Sequence, residues 1–420
     1  PGFITERYLI MKNMKKRSLR RIFAGILGIG ILLTGAAPCA AAAYGYDEYG
    51  DPIVTATPVP DSQSGQVTQA APAHSSYYSQ AADTDSIDGW PKGPNVEAQA
   101  AVLMDVNTEA VLYSKNGDTQ LYPASITKIM TTLLACENLN VKTKITVSEN
   151  ASTSVSAGDS SIYAAPGEVF TRDQALMAVM LQSANEMSVA VAEEVSGSVK
   201  KFTELMNWRA KLFGCKNTHF NNPNGLPDET HYTTASDMAK IAKSAWLNPL
   251  FRRYCTRRYY EIPATNKFAE ARQLLNHHKM MKNGEYYYEG VLGGKTGYTD
   301  ASGNTLVTYC KRGNMTLVAV ILNSTSAANA YSDTASLFNY GFENFEKMDM
   351  KVSMEPVPFK VLPCDKYILK NNGNTYPFYY QTNVYVTVPK GTKRSQLTKR
   401  QAVLQNAAGP LRLKSKYYYQ

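Results

Sequence analysis

Three short clusters in this 420-residue chain bring together residue types that can do chemistry. The first is Ser125 and Lys128 in "PASITKIM". Residues three apart on a helix share a face, so a lysine at that offset can set its amine beside the serine hydroxyl. An alcohol is a weak nucleophile until a base takes its proton, and a lysine serves as that base only when burial or a neighbouring cation depresses its pKa. The start of a helix also leaves backbone N–H groups unpaired near the reacting carbon, where a developing oxyanion needs donors. Ser183-Ala184-Asn185 and Lys295-Thr296-Gly297 follow in chain order. The first two patterns have chance copies: Ser198 with Lys201 repeats the first, and Ser148-Glu149-Asn150 and Ser302-Gly303-Asn304 repeat the second. The copies fail on order and context, so the ordered triple carries the signal.

The surrounding elements must position these groups. Ile126, Ile129, Met130, Leu133 and Leu134 give the stretch after Ser125 one apolar helical face. Residues 171–195 read as two helices broken at Ser183-Ala184-Asn185, with Thr171 and Gln174 forming a capping box for the first. Helical patterns recur over 200–213, 235–247 and 328–340. Two apolar runs flank Asp105-Val106-Asn107-Thr108, and "NTLVTYC" and "MTLVAVIL" flank Lys311-Arg312-Gly313-Asn314, each a hairpin pattern. A hairpin, then many helices, then strands predicts an α+β fold, a sheet with helices grouped beside it, over residues 96–346. Short alternating runs with Asn-Gly punctuation over 350–420 predict a small all-β C-terminal domain without an acid, base or metal cluster.

The start of the chain has a different character. Residues 1–43 hold a basic stretch, an apolar run from Ile22 to Leu33 and small residues ending "PCAAAAYG", the order of a secretory signal. The apolar run falls short of the roughly 20 residues that span a bilayer. Residues 1–10 precede any initiator Met, and Pro38 argues against lipid attachment at Cys39. Residues 44–95, rich in Ser, Gln, Ala, Asp, Tyr and Pro, read as a disordered tether. Residues 1–21 carry seven basic side chains against one acid, so removing the signal lowers the formal charge from +9 to about +3. The basic balance therefore gives no support to nucleic-acid binding. Cys136, Cys215, Cys255, Cys310 and Cys364 are dispersed, without metal spacing or a disulfide framework.

S-x-x-K, S-x-N and K-T-G in that order are the signature of penicillin-binding proteins and serine β-lactamases. The phrases "PASITKIMT", "MLQSANEMSVAVAE", "NPNGLPDETHYTTASDMAKIA", "NHHKMM" and "GGKTGYTDASG" narrow the match. They closely resemble the exported D-alanyl-D-alanine carboxypeptidases, the low-molecular-weight penicillin-binding proteins of serine peptidase family S11. The resemblance implies a β-lactamase/transpeptidase-like domain with an antiparallel sheet, and a serine-type hydrolase acting on peptidoglycan pentapeptide stems and acylated by β-lactam antibiotics. It implies Ser125 as nucleophile, Lys128 as base, Ser183 as proton relay and Asn185 as a ligand of the substrate amide and of Lys128. Lys295 and Thr296 would hold the substrate carboxylate, Gly297 would admit the peptide along the strand edge, and the N–H groups of Ser125 and Tyr298 would bind the oxyanion. No cofactor or metal is implied.

The chain departs from its relatives where they commonly carry an arginine before the aromatic residue of the last helix: Ala330 precedes Tyr331 here. Ala184 stands where the S-x-N motif commonly has Gly. Asn224 in "NPNGLPD" reads as a turn former, Asn276 as a loop tie, and His231, His277 and His278 as structural. A class A β-lactamase needs an E-x-x-x-N deacylation loop, and no acid from Glu186 to Glu289 has Asn four residues on. A silent β-lactam sensor or wall-binding module is the alternative outside the enzymes. The tail "QLTKRQAVLQNAAGPLRLKSKYYYQ" is broken by Gly409-Pro410 and alternates afterwards, so no C-terminal amphipathic membrane anchor is expected from it.

Overall fold

The computed structural model describes residues 74–350, 385–404 and 412–419. The expected signal (1–43), the first part of the tether (44–73) and much of the expected C-terminal β segment (351–384) lie outside them. In chain order the elements are β1 (Ala100–Asp105), β2 (Val111–Lys115), a 3₁₀ turn (Ala124–Thr127), α1 (Lys128–Asn138), β3 (Lys144–Thr146), α2 (Glu149–Ser152), β4 (Val169–Thr171), α3 (Arg172–Leu181), α4 (Asn185–Ser196) and α5 (Val199–Leu212). They continue with α6 (Ala235–Leu247), α7 (Pro249–Cys255), β5 (Tyr259–Ile262), β6 (Arg272–Leu275), β7 (Val291–Thr299), β8 (Gly303–Arg312), β9 (Met315–Ser324), α8 (Ala327–Asn344) and β10 (Phe345–Asp349). Strands β11 (Tyr385–Pro389), β12 (Leu397–Leu404) and β13 (Arg412–Tyr419) complete the described part.

Five antiparallel strands form the central sheet in the order β2-β1-β9-β8-β7. The central stretches of its middle strands are buried and mostly apolar because both faces are covered. On β9, Val318, Val320 and Leu322 join the core with α1, α3, α4 and α6, while Leu317, Ala319 and Ile321 pack with Leu337 and Phe338 of α8. Two expected helices end close to their predicted limits, α5 and α6, whereas α8 runs on to Asn344. The Thr171 capping box is present, with the Gln174 N–H on the Thr171 hydroxyl and the Thr171 N–H on Gln174 Oε1. The chance Ser-Lys copy is also explained: Ser198 is the N-cap of α5 and its hydroxyl accepts the Lys201 N–H.

The expectation of a tether through residue 95 requires correction. Residues 74–95 pack on the sheet edge around a 3₁₀ turn (Asp83–Ser86), with Ala82 and Thr84 buried. Trp90 donates its indole N–H to Leu112 O at 2.8 Å, and fully buried Lys115 donates to Tyr77 O at 2.6 Å and Val96 O at 2.8 Å. Side-chain to main-chain bonds of this kind leave no apolar period in the sequence. At the other end, β10 pairs with β11, and the Thr387 hydroxyl donates to Asp105 Oδ2 at 2.7 Å. Strands β12 and β13 form a further antiparallel pair. Among the described residues no helix is long and apolar enough to cross a membrane. Cys136, Cys215, Cys255 and Cys310 are free thiols.

Candidate active site

The three sequence clusters converge on one cleft of about 290 Å³ beside β7. Ser125 enters it from the 3₁₀ turn before α1, Ser183 and Asn185 from the break between α3 and α4, and Thr296, Gly297 and Tyr298 from the free edge of β7. Lys128 and Lys295 lie beneath, both essentially buried. Two of the seven described non-glycine residues with positive φ lie here: Ala124 (φ 49°), just before Ser125, and Ser183 (φ 58°). Such strain persists only where surrounding structure enforces it. Here the Thr305 hydroxyl donates to Pro123 O at 2.9 Å, and the 222–226 loop presses on the same turn.

Lys128 Nζ sits 2.9 Å from Ser125 Oγ, 2.7 Å from Asn185 Oδ1 and 2.6 Å from Asn224 O. The two amide oxygens can only accept, so they take both N–H bonds of a neutral amine. Its lone pair is then left for the Ser125 hydroxyl. Burial, reinforced by the Lys295 ammonium, holds the Lys128 pKa well below the usual lysine range, against opposing effects of Glu186 and Asp159. Lys295 donates to Ser183 Oγ at 3.1 Å and to Thr296 O at 2.8 Å, and burial pushes its pKa down to about 7. An ammonium has three donors, so one N–H remains for a ligand. None of the described cleft-lining residues is an arginine, and Ala330 and Tyr331 line the wall.

The close approach of β7 to Ser125 depends on Gly297. A Cβ there would stand 2.9 Å from Ser125 N, 2.4 Å from Thr305 Oγ1 and 3.1 Å from Ala124 Cβ. Gly225 makes the matching approach from the opposite side: its φ is +91°, and an added Cβ would lie 1.9 Å from Ala124 O. The "NPNGLPD" turn is built by Asn222 Oδ1 accepting the Gly225 N–H and Asn224 Oδ1 accepting the Leu226 N–H. Asn224 is thus the expected turn former, and its carbonyl is also a ligand of Lys128. Sequence reading missed that, since a backbone acceptor has no residue-type signal.

Glu186 was likewise not singled out. Fully buried at the first turn of α4, it accepts the Ser161 hydroxyl and the Ile162 N–H on Oε1, both at 2.8 Å. It thereby ties down the segment that brings Gly158, Asp159 and Ser160 to the cleft. None of the three expected structural histidines bonds Ser125. His231 pairs with the Thr127 hydroxyl at 2.9 Å and accepts the Asn221 N–H, His278 pairs with the Thr308 hydroxyl at 2.9 Å, and His277 reaches the cleft wall beside Gln182. Burial holds all three near pKa 4, so each is neutral at pH 7. Asn276 ties its loop, accepting the His278 N–H and donating to Arg257 O, each at 2.9 Å.

The profile of the D-alanyl-D-alanine carboxypeptidase family, Peptidase S11, matches residues 89–326. The D-alanyl-D-alanine carboxypeptidase DacF of Bacillus subtilis is 38% identical over 253 residues, 60% of this chain and 63% of that protein, so the match spans under two thirds of the relative. Penicillin binding protein 5 from Haemophilus influenzae superposes with a TM-score of 0.63 at 26% identity, covering 78% of this chain and 94% of that structure. The Streptomyces K15 DD-transpeptidase gives 0.57 at 30% identity, covering 60% of this chain and all of that one (100%). With the family profile matched over more than half of its length, the chain belongs to the D-alanyl-D-alanine carboxypeptidase family, Peptidase S11.

Proposed function

We propose that the protein is an exported serine-type carboxypeptidase that removes the terminal D-alanine from peptidoglycan stem peptides. The observation that carries this reading is the triple contact of Lys128 Nζ, which leaves a neutral amine one direction in which to accept a proton, toward Ser125. Lys295 and Thr296 receive the substrate carboxylate, fixing the peptide bond between the two D-alanines over Ser125 Oγ. Oγ attacks the carbonyl carbon while its proton passes to Lys128 Nζ, and the N–H groups of Ser125 and Tyr298 take the oxyanion. The intermediate collapses as a proton reaches the leaving nitrogen through Ser183, free D-alanine departs, and an ester on Ser125 remains. Water adds to the ester with Lys128 again accepting a proton; the shortened peptide leaves and Ser125 regains its hydrogen. A β-lactam enters by the same attack, but its leaving nitrogen stays tethered, so the ester persists.

The test is release of D-alanine from diacyl-Lys-D-Ala-D-Ala by the purified protein. Release that is abolished by prior treatment with penicillin supports the reading. Penicillin hydrolysis without D-alanine release would make the protein a β-lactamase, and labelling without turnover of either would make it a sensor.

A further inference from the structure

Among the described residues lining the cleft, Asp159 is the one carboxylate. Its loop is tied by hydrogen bonds. Asp159 Oδ2 accepts the Ser156 N–H at 2.8 Å and its own N–H donates to Ser156 O at 3.1 Å. The next residue, Ser160, accepts the Asn185 N–H on its carbonyl at 2.9 Å, and Ser161 and Ile162 are held by Glu186. Oδ1 has no partner among the described residues, so one oxygen remains for a ligand on this hydrogen-bonded loop. Position matters as much as charge. The substrate carboxylate belongs with Lys295, which is bonded to Ser183. Two residues further along the same wall, Asn185 carries the 158–160 loop. Asp159 therefore flanks the part of the cleft that receives the peptide upstream of the scissile bond.

Resting on the carboxypeptidase reading above, we propose that Asp159 determines specificity by pairing with the side-chain ammonium of a diamino residue immediately before the D-alanyl-D-alanine dipeptide. That residue has its Cα about 3.8 Å from that of the D-alanine that becomes the ester, and its methylenes extend the amine toward the loop. In a peptidoglycan stem this amine is free before cross-linking and acylated afterwards. Asp159 thus selects uncross-linked stems, because an acylated side chain brings no charge to pair with its carboxylate.

The experiment compares kcat/KM for Nα-acetyl-Lys-D-Ala-D-Ala, whose ε-amine is free, with that for the diacetyl peptide, in the parent and in Asp159→Asn. The amide variant keeps an oxygen for the Ser156 N–H and loses only the charge. A preference of about 5-fold for the free amine is expected in the parent, the upper range for a partly exposed ion pair. It should shrink with added salt and fall to about 1-fold in the variant. The ratio is the readout, since any effect of Asp159 on Lys128 moves both rates together. A parent without the preference, or a variant that keeps it, overturns the proposal while leaving the carboxypeptidase reading intact. Absence of D-alanine from both peptides overturns that reading and this one with it.

Discussion

Replacing Gly297 by Ala tests the packing of β7 on the nucleophile. A methyl group built there lies 2.9 Å from Ser125 N and 2.4 Å from Thr305 Oγ1, both inside van der Waals contact. The Thr305 side chain can turn away only by giving up its 2.9 Å bond to Pro123 O, which ties the nucleophile turn to β8. That bond is worth about 1 kcal/mol, and residual overpacking costs about 1–3 kcal/mol. Tm should therefore fall by several degrees, at about 2–4 °C per kcal/mol for a domain of this size. The methyl also crowds the Ser125 N–H, so acylation should slow by about 10²-fold, the low end for losing one oxyanion donor. The assay is the second-order rate of labelling by a fluorescent penicillin, run beside thermal unfolding. Adding Thr305→Ala removes the shorter contact but also the bond to Pro123 O, so the double variant should regain only the overpacking part of the Tm loss and no acylation, because the contact with Ser125 N remains. If Gly297→Ala acylates at the parent rate, the described approach of β7 to Ser125 is wrong.

Three more outcomes follow from the same geometry. Lys128→Arg keeps the charge but cannot supply a neutral base, so acylation should drop by at least about 10²-fold; parental labelling would remove Lys128 from the base role. Gly225→Ala combines a φ of +91° with a Cβ 1.9 Å from Ala124 O, so it should lower both Tm and labelling, and a variant matching the parent in both would contradict the 222–226 turn as described. Burial pushes the Lys295 pKa down to about 7, so it loses its proton as pH rises through that value, and with it the charge proposed to receive the substrate carboxylate. The kcat/KM for a free-carboxylate peptide should fall on the alkaline side of pH 7, and Lys295→Arg, which stays charged, should move that limb upward; an unmoved limb would assign the titration to another group.

The groups that meet at the cleft were legible because the proposed chemistry requires particular side chains in a fixed order. Ser125, Lys128, Ser183, Asn185 and Lys295 to Tyr298 converge as that order implies. The helix break at Ser183 and the Thr171 cap were legible for local reasons, a small polar interruption and a reciprocal hydrogen bond. What escaped was set by tertiary structure. Alanine has no intrinsic preference for left-handed backbone, so nothing in "PAS" announces the φ of Ala124. The Asn224 acceptor is a main-chain carbonyl, the buried Glu186 acts by tying the 161–162 segment, and the β3–β4 and β5–β6 pairs are three or four residues long, too short for an alternating pattern to stand out. Residues 74–95 resembled a linker in composition because one Trp and several polar bonds, and no apolar stripe, hold them down.

The most direct test of the account is the site of covalent attachment. The protein is treated with benzylpenicillin, digested and sequenced by mass spectrometry, with Ser125→Ala run in parallel. The account predicts one adduct of the intact antibiotic, on the peptide containing Ser125 and on that hydroxyl, and no adduct in the variant while its unfolding curve stays cooperative. An adduct on Ser198, whose hydroxyl caps α5, or on any residue other than Ser125, would contradict it, as would a parent protein that takes up no label.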